Sequence, residues 1–142
     1  MHLTRMAAKA AIERYNKMHN SECRAELIEF IGFSREQVLW LFNAVNCVIM
    51  TSNQEGSPQF IKEAMACNCP IVSVDVGDVK DVISGVDGCF LAERNVDDLA
   101  EKLDKAMCFG KTSGRDKVLR SFDASLVARR IVEVYNEVVC DE

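Results

Sequence analysis

Glu55 and Glu63 stand eight positions apart in the stretch SNQEGSPQFIKEAMACNCPIVSVDVGD, one just before a helix start and the other inside the helix. The start is marked by Gly56-Ser57-Pro58. Ser57 offers an N-cap oxygen, and Pro58 suits the first helical position because its missing N–H would have no partner there. A helix from Pro58 to about Cys67 is expected, with unpaired N–H groups and the positive end of its dipole in the first turn, a setting that suits phosphate. Gly56 carries no side chain to hold a ligand off the backbone. Glu55 repels phosphate, so its natural partner is a hydroxyl. Glu63 follows Gln59 by four residues and shares its polar face, while Phe60, Ala64 and Cys67 mark the apolar one, so Glu63 can point back toward the same cleft. Carboxylates that accept from sugar hydroxyls beside a phosphate-binding helix start describe a nucleotide-sugar site better than a bare nucleotide site. The same spacing also suits two solvated side chains, because charged residues mostly lie at the surface.

The elements that must position these residues alternate along the chain. Ala8, Ala11, Ile12 and Tyr15 recur at helical spacing over Ala7 to Met18, and AELIEFIG, Ala25 to Gly32, has strand character. In FSREQVLWLFNA, Ser34 and Gln37 form a capping box and Phe33 and Val38 a hydrophobic staple, which starts a helix near Arg35. Trp40 in that helix is expected in the core. CVIMTS reads as a central strand covered on both faces, and CPIVSVD and GCFLAE read as further strands separated by a short helix at Val79 to Ile83. Asn95 caps a helix bearing Leu99, Leu103 and Met107. GKTSGRDK is expected as a loop or broken helical connection, and Asp123 caps a last amphipathic helix carrying Val127, Ile131, Val134, Tyr135 and Val138. This alternation predicts an α/β, Rossmann-like doubly wound parallel sheet of about four strands, with right-handed crossovers and helices on both faces. Ligands bind beyond the carboxyl ends of such strands, so the loops at Phe33-Ser34, Asn53 to Ser57 and Val76 to Asp78 should share one edge.

A chain of 142 residues is the size of one domain, read here as a single unit over 1–142. Its formal net charge of −5 disfavours a domain built to coat nucleic acid. No apolar run is long enough for a membrane span and no signal peptide is readable, which leads to a cytoplasmic reading. The seven cysteines are scattered apart from the lone pair Cys67 and Cys69, a pattern of buried thiols in a reducing compartment rather than a metal or disulfide framework, so no metal site is expected. His2 and His19 have no acid and nucleophile beside them in sequence, and both are read as surface residues. Lys80 is read as solvated. GKTSG lacks the upstream glycine and preceding strand of a phosphate loop.

The run SNQEGSPQFIKEAMACNCPIVSVDVGDVKDVI resembles the C-terminal donor-binding domain of the family-four (glycosyl transferases group 1) retaining glycosyltransferases. Their hallmark is E-x7-E followed by Ala-Met-Ala, here Glu55, Glu63, Ala64, Met65 and Ala66. GFSREQVLWLFNAVNCVIMTS and VDGCFLAERNVDDLAEKLDKAM resemble the flanking stretches, so the likeness runs from about residue 27 to the end. It implies one half of a two-domain GT-B enzyme, with the first strand of this half and the N-terminal acceptor domain missing. It also implies that Glu63 binds the donor ribose and that Glu55 binds the transferred sugar. Gly56, Ser57, Pro58 and Gln59 would approach the sugar or diphosphate through their backbone, and Gly32 and Phe33 would contact the base. The departures are Asp81, where relatives often have Glu, and Gln59, where they often have Asn. The implied substrate is a nucleoside-diphosphate sugar, with no cofactor and no obligatory metal. The implied acceptor is a glycan or lipid-linked molecule in polysaccharide assembly. Activity would belong to a longer protein, peripherally membrane-bound, and this chain alone would bind donor at best and be inactive. An unpaired sheet edge would favour self-association or limit stability. Two rivals stand beside this reading. A nucleotide-sugar epimerase of the same architecture would need catalytic acids and histidines that the chain does not show, and a non-catalytic module would bind a protein partner.

Overall fold

The computed structural model describes residues 2–19 and 24–140. The elements are helix α1 (His2–Met18), helix α2 (Arg35–Ala44), strand β1 (Val48–Met50), helix α3 (Gln59–Ala66), strand β2 (Ile71–Val74), helix α4 (Val79–Ile83), strand β3 (Cys89–Ala92) and helices α5 (Val96–Met107), α6 (Gly114–Ser121) and α7 (Ala124–Cys140). The strands form one parallel sheet in the order β1-β2-β3, with Val48 beside Ile71 and Ile71 beside Cys89. Every residue of β2 is buried, as a strand flanked and covered on both faces must be. Helices α3 and α4 cross between the strands, α6 packs on α3, α5 covers β2 and β3, and α1 packs on α5. The α/β architecture is therefore the expected one, reduced to a sheet of three strands.

The fourth strand does not form. Ala25 to Ile31 joins no ladder among the described residues: the cavity separates Leu27 to Ile31 from β1, and the Ile31 N–H turns back to the Glu29 carbonyl at 2.8 Å. It is tied down by side chains instead. Asn16 donates to the Ala25 carbonyl at 3.0 Å and accepts from the Ala25 N–H at 2.7 Å, and Arg5 pairs with Glu29 at 2.6 Å. Phe30 joins Phe42 of α2 and Phe60 of α3 in a ring cluster with centroids 5.2 to 5.5 Å apart. Such aromatic pairs each add about 0.5–1.5 kcal/mol beyond area burial. A second correction follows from the first: β1, expected at the centre of the sheet, lies at its edge, and Ile49 is only half-buried.

The capping signals work as the sequence implies. Ser34 and Gln37 exchange the two hydrogen bonds of a capping box, Asp98 N–H donates to Asn95 at 2.8 Å, and Ser125 N–H donates to Asp123 at 3.0 Å. Trp40, expected in the core, is 60% exposed; Phe42 is the α2 residue whose direction meets the ring cluster, and it is buried. GKTSGRDK, expected as a loop or broken helical connection, is a loop to Ser113 followed by the start of α6 at Gly114, where a side chain would meet the Met65 carbonyl oxygen at 2.9 Å. The smallest residue thus lets α6 lie directly on α3. Among the described residues no helix is long and apolar enough to cross a membrane. His19, expected at the surface, is half-buried, its ring tilted against that of Tyr15 with centroids 4.5 Å apart and its Nε2 2.8 Å from Asp104.

Among the described residues no group of acids, cysteines and histidines could hold a metal ion. Burial pushes the Cys47 thiol up to about 12, assisted by the nearby Cys69. Cys89 is likewise pushed to about 12 and Cys69 to about 11, burial being the leading cause in both. A thiol whose folded-state pKa is raised stabilises the fold below its unfolded pKa, near 8.5, and that contribution is lost as pH rises toward the folded value. Denaturant unfolding should therefore give level stability from pH 7 to about 8 and a decline above about 9. Stability unchanged at about pH 10.5 would show that these thiols ionise freely in the fold.

Candidate functional site

The loop from Ser52 to Pro58 leaves the carboxyl end of β1 and carries the acid-bearing stretch into α3. Loops leaving the other two strands hold it. From the β2 side, Asp78 N–H donates to the Gly56 carbonyl at 3.0 Å, and Gly77, at φ +58°, lies against the backbone of Glu55 and Gly56. A side chain on Gly77 would collide with the Gly56 carbonyl oxygen and lie 2.8 Å from that of Glu55. The Ser57 hydroxyl donates to the Asp78 carboxylate and accepts from Lys62, whose ammonium is 3.8 Å from Asp78 and 5.3 Å from the centre of the Phe122 ring. From the β3 side, Arg94 donates to the Ser52 carbonyl at 2.9 Å and to the Asn53 side chain at 3.0 Å. The turn bearing Arg94 is itself braced, since Glu93 N–H donates to Asp98 at 2.6 Å. That bond, with Lys102 one turn on, holds the Asp98 carboxyl below its ordinary value.

This network corrects the reading of the helix start. Ser57 was expected as N-cap, but its hydroxyl is engaged by Asp78 and Lys62, and Pro58 occupies the cap position with no side-chain hydrogen bond. The first-turn N–H groups of α3 therefore have no side chain over them, which strengthens the case for an anionic guest. Asn95 and Ser34 do cap their helices, whereas α3 shares its lack of a side-chain cap bond with α4 and α6.

Glu55, Pro58 and Gln59 line a cavity of about 1110 Å³ together with Thr51 and Ser52. Away from this polar end the cavity runs along the open edge of β1, between Val48 to Met50 on one side and Leu27 to Ile31 on the other, and is largely apolar. Gly56 and Ser57 face the β2 loop instead. Glu63 is half-buried on α3 and does not line the cavity. Gly32 and Phe33 are exposed beside the start of α2, where Ile31 lines the cavity and they do not. Lys80 is exposed and does not line the cavity. The carboxylates of Glu55 and Glu63 form no hydrogen bond or ion pair among the described residues, which leaves both able to accept from a ligand hydroxyl.

Arg94, Lys62 and the bracing role of Gly77 were not visible in the sequence reading. The usable signal for Arg94 was its place just past the carboxyl end of β3, the edge already assigned to ligand binding. Lys62 gave none, because its partner Asp78 is remote in sequence and meets it only through the crossover.

The chain belongs to the glycosyl transferases group 1 family, whose family model matches residues 6–108. Sucrose-phosphate synthase from Thermosynechococcus elongatus is similar in structure, with a TM-score of 0.66 at 17% identity over 97% of this chain and 35% of that one. The fold is thus the Rossmann-like type of the GT-B architecture. An N,N'-diacetylbacillosaminyl-diphospho-undecaprenol alpha-1,3-N-acetylgalactosaminyltransferase from Campylobacter jejuni is 25% identical over 118 residues, 79% of this chain and 31% of that protein. The chain spans about a third of the length of each of these two relatives.

Gly77 offers a direct test of the brace, with Gly85 as its control. Both are left-handed, at φ +58° and +70°, but nothing lies within 4 Å of a side chain added at Gly85. Gly85→Ala should cost about 1–2 kcal/mol, the left-handed penalty alone. Gly77→Ala should cost more, by urea unfolding, because the loop at Glu55 and Gly56 must also move. Equal losses would mean that the two loops do not bear on each other.

Proposed function

We propose that this chain is the donor-binding part of a retaining glycosyltransferase. The enzyme moves a hexose-type sugar from a nucleoside diphosphate to a glycan or lipid-linked acceptor during polysaccharide assembly on the cytoplasmic side of a membrane. One observation carries the reading: among the described residues Glu55, beside a helix start that no side chain caps, and Glu63, one turn into that helix, have no hydrogen-bond or ion-pair partner, and the loop bearing Glu55 is braced from both neighbouring strand ends. The family supports it, and so does the name of the Campylobacter relative, which specifies a diphospho-undecaprenol-linked acceptor and transfer of an N-acetylamino sugar.

In this reading the uncapped N–H groups of α3 take the diphosphate, and the helix dipole offsets the negative charge that grows as the sugar–phosphate bond breaks. Glu55 accepts hydroxyls of the transferred sugar at the polar end of the cavity. Glu63 accepts the ribose hydroxyls, and Gly32 and Phe33 lie toward the base. Gly56, Ser57, Pro58 and Gln59 provide backbone close to the sugar and diphosphate. The loop needs no reorganisation at the moment of transfer, because Asp78 and Arg94 already fix it, and preorganised dipoles of this kind stabilise transition states most effectively. No metal or cofactor is required of this chain. The acceptor site and further cations for the leaving diphosphate come from the rest of a longer protein, so the chain alone binds donor and does not turn over.

Calorimetric titration of UDP, GDP and their sugar conjugates tests this. One nucleotide should bind saturably, and Glu63→Ala should weaken it by about 1–3 kcal/mol, the scale of a hydrogen bond to a charged group. Glu55→Ala should spare the free nucleotide and weaken only its sugar conjugate. Binding that Glu63→Ala leaves unchanged, or no binding by any of the ligands, contradicts the reading.

A further inference from the structure

Ser57 has two places to go, and its neighbours keep it in one. By type and position it is an N-cap, followed by a proline that suits the first helical turn. The φ of Pro58, −67°, already fits a helix, and only its ψ of 118° keeps α3 from starting one residue earlier. With that ψ turned into the helical range, Pro58 would open the helix and Ser57 would become its N-cap. The serine oxygen would then accept from the N–H of Gln59 or Phe60. Those amides are the ones an anionic ligand at the start of α3 must use. Ser57 and the ligand therefore compete for the same donors.

Two side chains hold Ser57 out of that competition. Lys62 donates to its oxygen and Asp78 accepts from its hydroxyl, so the group is engaged as acceptor and as donor at once. Lys62 is half-buried and is itself held over the Phe122 ring. The brace between the β1 and β2 loops runs through the Asp78 N–H and needs nothing of its carboxylate. The carboxylate is nonetheless kept there with Oδ1 buried and unpartnered among the described residues, which costs stability. An acid close to a phosphate site is also unfavourable by charge alone. Its contacts with Ser57 and Lys62 are what the acid contributes. We propose that Lys62 and Asp78 are positioning residues for the donor, which hold Ser57 off the start of α3 so that its first amides stay open to the diphosphate. This rests on the donor-binding reading and adds what keeps that site open.

Calorimetric titration with UDP and GDP compares Asp78→Ala with Asp78→Asn. Both lack the charge, and only Asn still offers Ser57 an acceptor. Asp78→Ala should bind the nucleotide about three- to tenfold more weakly than Asp78→Asn, the scale of one N-cap hydrogen bond. Loss of charge alone predicts no difference between them. Adding Ser57→Ala to Asp78→Ala should close the gap, because no hydroxyl is left to occupy the amides. Amide hydrogen exchange on the free protein follows the same event without a nucleotide. The Gln59 or Phe60 N–H should exchange more slowly in Asp78→Ala than in the double variant, and Lys62→Met, which keeps a stem against Phe122, should slow it in the same way. Equal affinities of Asp78→Ala and Asp78→Asn, a gap that Ser57→Ala leaves open, or equal exchange in all variants overturns the inference. A wild-type chain that takes up neither UDP nor GDP overturns the donor-binding reading instead, and the exchange comparison then decides whether Asp78 and Lys62 hold Ser57 off the helix.

Discussion

The backbone of Glu55 and Gly56 rests on Gly77, and the Gly56 carbonyl accepts from the N–H of Asp78. That contact joins the ends of two adjacent parallel strands, and the rest of the site hangs from it. The loop it fixes sets where α3 begins, and the Asp78 carboxylate draws the Ser57 hydroxyl away from the cap position. The first turn of α3 is left without a side chain over its N–H groups. An interaction that looks purely structural therefore leaves an uncapped helix start at the polar end of the cavity. It is possible only because residue 77 has no side chain in a left-handed position that places it against another loop's backbone.

The sheet beneath supplies rigidity at one side and opening at the other. β2 is fully buried between its neighbours, whereas β1 presents its outer edge to a cavity closed by Leu27 to Ile31. Phe60 connects the two, because it leaves the first turn of α3 to meet Phe30 and Phe42. The ring cluster thus bears both on the Ala25 to Ile31 segment and on the helix whose start lies at the polar end of the cavity. Arg94 completes the frame from β3, so residues leaving all three strands converge on Ser52 to Pro58.

Much of this was legible in the sequence where the signal is local. Caps at Ser34, Asn95 and Asp123, the apolar runs of β1, β2 and β3, and the acid-Gly-Ser-Pro-helix sequence each depend on residues a few positions apart, and each element forms where it was expected. The failures share a non-local cause. Ala25 to Ile31 has strand chemistry, but a strand exists only when another pairs with it. Trp40 and Phe42 differ in burial because the ring cluster selects one direction of α2, which the mixed apolar pattern of that helix does not reveal. Ser57 has the right type and place for a cap and was redirected by Asp78, 21 residues away. Gly114 reads as a loop residue until α3 is found lying against it.

The central claim is that the braced loop and the bare start of α3 together receive a nucleotide sugar. Backbone amide resonances followed during titration with the sugar conjugates of UDP and GDP test it most directly, because each amide reports its own surroundings. If the claim is right, the largest shifts fall on Thr51 to Phe60, with smaller ones at Val76 to Asp78 and Gly32 to Ser34, while α7 is unmoved. Saturable shifts that leave Gly56 to Phe60 in place and concentrate elsewhere would contradict it.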